Sequence, residues 1–148
     1  MALRHLDRRA YGTDELRAVL VRKGADAAVV GEVLERLTGV GLLDDQAYAA
    51  SLVEQRHDMR HQARRAVVHE LKRRGLPSDV VQQATADLDV EADWQGARQI
   101  VERRLPRLAG LDDATVWRRL AGALARRGYA PSIVSAVVTE ALRERRDE

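Results

Sequence analysis

Two histidines four residues apart, His57 and His61, share one helical face and bracket Asp58. That spacing can hold zinc beside an acid able to activate water. The acid of such motifs is usually Glu, one methylene longer than Asp58, and no third ligand follows at a recognisable spacing, although His69 is near. A metal site also needs partners that orient its ligands, so the pair reads as polar histidines at a helix junction and no metal is expected. Gly39-Val40-Gly41 fails as a nucleotide loop, because Asp44 stands where a third glycine would be and a helix, not a strand, precedes it. No Gly-rich loop ends in Gly-Lys-Ser/Thr, and the serines have no matching His and acid. The expectation is a protein without enzymatic chemistry or cofactor.

Basic residues carry the stronger signal. Arg22-Lys23, Arg73-Arg74 and Arg126-Arg127 each precede a glycine, at a helix C-terminus where the macrodipole favours a cation by roughly 0.3–1 kcal/mol. Arg64-Arg65 and Arg118-Arg119 are read as first-turn residues, where the dipole disfavours them and where the corresponding earlier segment has Thr13-Asp14-Glu15. A helical projection sets Arg65, His69, Lys72 and Arg73 opposite Val67 and Leu71, and Arg118, Arg119 and Arg126 opposite Leu120 and Leu124. Two stripes, Arg64, Arg65, His69, Lys72 and Arg73 in one and Arg118, Arg119 and Arg126 in the other, are therefore candidate partner or nucleic-acid contacts. Trp94, Trp117, Tyr11, Tyr48 and Tyr129 could stack on bases, but none interleaves with a basic run and all read as core at helix junctions. Tyr129, next to Gly128, should be the most exposed.

The elements that position these residues follow from a phrase written three times. Its copies run Leu16, Leu20, Arg22-Lys23-Gly24, Val29, Val33, Leu37; then Val67, Leu71, Arg73-Arg74-Gly75, Val80, Ala84, Leu88; then Leu120, Leu124, Arg126-Arg127-Gly128, Ile133, Val137, Ala141. The glycines lie 51 and 53 residues apart with no gap inside the phrase, the mark of a helical repeat in which each unit completes its neighbour's core. Apolar pairs at i,i+4 end in a glycine suited to the left-handed C′ position. Asp26, Pro77-Ser78 and Pro131-Ser132 then open the next helix. Amphipathic stretches between phrases follow Gly41-Leu42-Leu43-Asp44-Asp45, through Tyr48, Leu52 and Val53 to about His57, and Glu91-Ala92-Asp93-Trp94, through Ala97, Ile100 and Val101 to about Leu108, with a shorter one from Ala2 to Arg9. The reading is all-α: nine helices in three tandem three-helix repeats, residues 1–40, 41–90 and 91–148. The helices should cross near right angles in an elongated monomer.

Composition agrees. Only three prolines and no Phe or Cys occur, which favours helices and a reducing compartment. No apolar run reaches the roughly 18 residues of a membrane span. Met1 to Arg9 lacks the apolar core of a signal peptide. A soluble cytoplasmic chain is expected. The net charge of +2 hides segregation. Arg56 to Arg74 holds seven Lys or Arg against Asp58 and Glu70, whereas Leu76 to Asp93 holds five acids and no Lys or Arg. Such a pattern suits a polyanion or a partner with its own charge pattern.

Several segments together resemble RecX proteins, bacterial regulators of RecA recombinase. They are Arg8-Arg9 through Thr13, Glu15-Leu16 and Arg22-Lys23-Gly24; Gly41-Leu42-Leu43-Asp44-Asp45 with Tyr48-Ala49; Glu70-Leu71-Lys72-Arg73-Arg74-Gly75; and Arg126-Arg127-Gly128-Tyr129. The resemblance covers nearly the whole chain in order. It implies three three-helix units that bind in the groove of the RecA–DNA filament. It further implies inhibition of strand exchange, ATP hydrolysis and the co-protease activity behind the SOS response, with the RecA filament as partner and DNA as a further partner through the filament. A glycine that often precedes the family's second basic helix is replaced here by His61-Gln62-Ala63, and the short segment before Arg8 reads as a trimmed N-terminus. Two rivals remain: a helix-turn-helix protein acting directly on DNA, and an adaptor for an unrelated protein. Against the former, Asp87 is the lone charge from Val80 to Leu88.

Overall fold

The computed structural model describes residues 1–148 and contains nine α-helices and no strand. They are α1 (Ala2–Leu6), α2 (Thr13–Arg22), α3 (Ala27–Gly39), α4 (Asp45–Val53), α5 (Arg64–Arg73), α6 (Ser78–Ala84), α7 (Val90–Arg104), α8 (Asp113–Arg126) and α9 (Pro131–Asp147). A π-helical turn, Glu54–Met59, continues α4, and a 3₁₀ turn, Leu105–Leu108, continues α7.

The recurring glycine closes its helix in the same way each time. Gly24, Gly75 and Gly128 have φ of 92°, 78° and 85°. The amide of the next residue reaches back over the turn, Ala25 to the Leu20 carbonyl, Leu76 to Leu71 and Tyr129 to Leu124, at 3.1, 3.2 and 3.3 Å. This bond satisfies an otherwise orphaned carbonyl and rolls the residue after the glycine onto the helix it has left. Leu76 and Tyr129 are accordingly buried. The expectation of an exposed Tyr129 is thus corrected: it is 3% exposed, and its hydroxyl donates to the His61 carbonyl at 2.7 Å. Burial, with a smaller contribution from Asp93, pushes its phenol up to about 12.

Helix starts follow short-range polar chemistry. Asp26 accepts from the amides of Ala28 and Val29, Asp44 from Ala47, Asp89 from Ala92 and Asp112 from Thr115, each satisfying a first-turn donor. Pro131 opens α9, its fixed φ suited to the first turn. Two sequence expectations need correction. The buried face of α3 is Val30, Leu34 and Leu37, while Val29 is 56% exposed; five apolar residues made two adjacent stripes, and the one with the larger Leu34 took the core. Helix α6 stops at Ala84 instead of reaching Leu88. There the Thr85 hydroxyl donates to the Val81 carbonyl at 2.7 Å, and Leu88 is buried beyond the helix.

Packing gathers the helices into two compact units, residues 1–54 with 68–85, and residues 55–67 with 86–148. In the first, α2 packs on α1 and α3, and α4 packs on α6. Leu16, Leu20, Val30, Leu34, Leu37 and Leu43 form a core there. In the second, α7, α8 and α9 pack on one another around Ile100, Val101, Val116, Leu120, Leu124, Ile133, Val137 and Val138. Each such side chain contributes about 1.5–3 kcal/mol by leaving water.

Candidate anion-binding surface

The packing of α7 and α8 in the second unit creates a cavity of about 650 Å³ lined by Arg103, Arg104, Arg107, Arg118, Arg119 and Arg126, with Leu108 and Leu120. Arg103 and Arg104 close α7. Pro106 lies in the following 3₁₀ turn, and this turn carries Arg107 to the same cavity. Arg118 and Arg119 belong to the second turn of α8, not the first as the sequence suggested, because Asp112 caps the helix a turn earlier. Leu120 and Leu124 on the same helix are fully buried, which leaves the arginine face outward.

These cations are barely neutralised. Arg103 donates to His61 Nε2 at 3.1 Å. The other five form no ion pair. Their field is felt next door, where Arg127 is held below the ordinary guanidinium value by burial and then by the charges of Arg104 and Arg126. Arg127 turns inward instead, donating to the carbonyls of Arg60 and Ala123. Gly122 explains how Arg126 fits. A Cβ at Gly122 would lie 3.2 Å from Arg126 Nη1 and 3.9 Å from its Cζ, so the guanidinium lies back against the bare helix. A glycine inside a helix costs about 1 kcal/mol relative to Ala, and here that cost coincides with the seating of a charge.

The other predicted residues are not brought to this cavity. Arg64, Arg65, His69, Lys72 and Arg73 are exposed on α5, opposite the fully buried Val67 and Leu71. The Arg64 amide donates to Asp93 Oδ1 at 3.0 Å, and Arg73 Nη2 is 4.0 Å from Glu70. Arg103, Arg104 and Arg107 were missed, although the stretch from Arg98 to Arg107 has four arginines against Glu102 alone. No aromatic residue lines the cavity; Trp117, 41% exposed, is the most open of the five aromatics.

The histidine pair has a structural setting. His57 Nδ1 is 3.0 Å from Asp58 Oδ1, and no group of three His, Cys, Asp or Glu side chains is arranged to hold a metal. His61 adopts a left-handed backbone, φ 55°, in the segment where the resemblance leads one to expect a glycine. Burial, followed by the charges of Arg103 and Arg127, holds its imidazole below the ordinary value.

Comparison with known proteins decides the family. Models described as the first, second and third three-helix domains of RecX match residues 1–37, 44–84 and 91–138. The chain belongs to the RecX family. It is 43% identical over 152 residues to the regulatory protein RecX of Mycobacterium sp. (strain KMS), covering 97% of this chain and 82% of that one. The regulatory protein RecX of Mycobacterium ulcerans (strain Agy99) is 40% identical over 148 residues, 99% of this chain and 86% of the relative. The crystal structure of RecX from Lactobacillus salivarius shares the fold, with a TM-score of 0.73 over 94% of this chain and 90% of that one, at 16% identity. No helix of this RecX-family chain is long and apolar enough to cross a membrane.

Proposed function

We propose that this chain is a cytoplasmic regulator of RecA that acts as a monomer by occupying the RecA–DNA filament. It inhibits strand exchange, ATP hydrolysis and co-protease activity, and thereby moderates DNA repair and the SOS response, without chemistry of its own. The observation that carries the reading, beyond family membership, is the cavity ringed by six arginines, five of them without an ion pair. Arginines left open to this extent are suited to an anionic partner surface, where planar, bidentate pairing gives both attraction and orientation. The exposed cations of α5, Arg64, Arg65, His69, Lys72 and Arg73, form a second contact face. Several modest contacts on one filament reinforce one another through effective concentration.

The test is RecA ATP hydrolysis on single-stranded DNA, titrated with this protein at several DNA concentrations. Inhibition should follow the ratio of protein to RecA. Inhibition abolished by a modest excess of free DNA would instead make this a protein that acts directly on nucleic acid.

A further inference from the structure

We propose that the arginine cavity of the second unit is a binding site for adjacent phosphate groups carried on one chain, with Gly122 as the residue that seats Arg126 in it. The assignment rests on reading this cavity as a contact surface, and it names the chemistry of what is contacted. Every cation lining it is Arg, as are 23 of the chain's 25 basic residues. The guanidinium fork matches two oxygens of one phosphate, whereas an ammonium acts as a point charge. Six arginines line about 650 Å³, a volume within the roughly 300–1,000 Å³ of compact ligand sites. The lining contains no carboxylate to neutralise them from within. An occupant must therefore bring several negative charges in a small space, which a phosphodiester or phosphoanhydride chain does at every link.

The lining also says what is not read. Without an aromatic platform, and without Asn, Gln, Ser or Thr among its residues, the cavity offers neither stacking nor the amide pairs that discriminate bases. Backbone contacts of this kind position a strand and carry no sequence information. Like-charge crowding supports the same occupant. Arg104 and Arg126 both bear on Arg127, and an anion between cations relieves such repulsion. Gly122 supplies the geometric element: the Arg126 guanidinium lies 3.2 Å from where a Cβ would stand, so even Ala shifts this fork by a few tenths of an ångström. Because the displaced atom is the end of a flexible side chain, the fold can absorb the change.

The test uses the purified full chain without recombinase, so that failure here leaves the filament reading to its own assay. Binding of a fluorescent oligothymidylate is measured by anisotropy at fixed salt, with inorganic tripolyphosphate and an oligoglutamate of equal charge as competitors. The double variant Arg104→Gln/Arg119→Gln should bind the oligonucleotide about tenfold more weakly. Gly122→Ala should weaken binding about threefold with an unchanged or raised melting temperature, since Ala is the better helix former. Displacement of the oligonucleotide by tripolyphosphate would identify a phosphoanhydride chain as sufficient. Its failure to compete, with binding still lost in the variants, would identify the nucleic-acid strand as the source. Oligoglutamate competing as well as tripolyphosphate, or undiminished binding by the double variant, would overturn the phosphate assignment. Undiminished binding by Gly122→Ala would overturn the role of Gly122.

Discussion

In the first unit Arg74 donates to the Tyr48 hydroxyl at 2.8 Å and to Glu70 at 3.1 Å, while Arg9 meets Glu15 at 2.6 Å and lies 3.6 Å over the Tyr11 ring. In the second unit Arg104, Arg107, Arg118, Arg119 and Arg126 surround a cavity and pair with no carboxylate. The second unit is not short of acids, since Asp113 takes both Arg145 and Arg146. Arginine therefore does two jobs in one chain. Where it is paired it ties neighbouring side chains together; where it is crowded and open it raises a positive field. A partner can use that field, and salt should weaken it over roughly 10 Å at 0.1 M.

The largest contrast in stability should come from the turns. At Gly24 a Cβ would meet nothing within 4 Å, whereas at Gly128 it would stand 2.8 Å from the Ala66 Cβ at the start of α5. Gly24→Ala should lose only the left-handed backbone's cost, about 1–2 kcal/mol. Gly128→Ala adds a steric clash and should lose about 2–4 kcal/mol in urea denaturation. Equal losses would mean that the two turns are not differently buttressed.

Arginine truncation probes the comparison itself. Arg74→Ala removes a charged hydrogen-bond donor from half-buried partners and should destabilise by about 1–3 kcal/mol. Arg119→Ala touches no such partner and should stay within about 0.5 kcal/mol of the parent chain. Similar losses in both variants would show that the cavity arginines also hold the fold.

The smallest effect concerns pH. His61 is half-buried beside Arg103 and Arg127, with His57 a further positive influence and Asp58 an opposing one. Its folded value lies below 6.5, so the unfolded chain takes up the proton first. Stability from this group is complete above about pH 6.5 and declines as pH falls from there through the lower folded value. Stability measured across that window should fall less with acid in His61→Gln than in the parent. An identical acid limb would remove His61 from the account.

The sequence disclosed the parts of the molecule whose causes are local. Three glycines in register announced three turns, and the capping residue Asp26 and the first-turn Pro131 announced helix starts, because each acts on amides or dihedrals within a few residues. The arginine cavity depends on α7 packing against α8. Arg103, Arg104 and Arg107 could be seen only as a basic run until that packing gathered them with Arg118, Arg119 and Arg126. Tyr129 was misread although it occupies the same place after its glycine as the apolar Leu76; the turn's geometry rolls either side chain inward. His61 shows the converse. Its left-handed backbone is held by surroundings that include Arg103 at its ring and Tyr129 at its carbonyl, neither of them near in sequence.

If filament binding rests on the open arginines of the second unit, and not on the chain's positive charge in general, loss of charge there should matter more than loss elsewhere. Affinity for RecA filaments assembled on single-stranded DNA tests it directly, using two variants with equal change in net charge. Arg118→Glu/Arg119→Glu should weaken binding by about tenfold or more, with helical content intact. Arg17→Glu/Arg36→Glu, in the first unit, should change it by no more than about twofold. Equal losses in the two variants would contradict the claim.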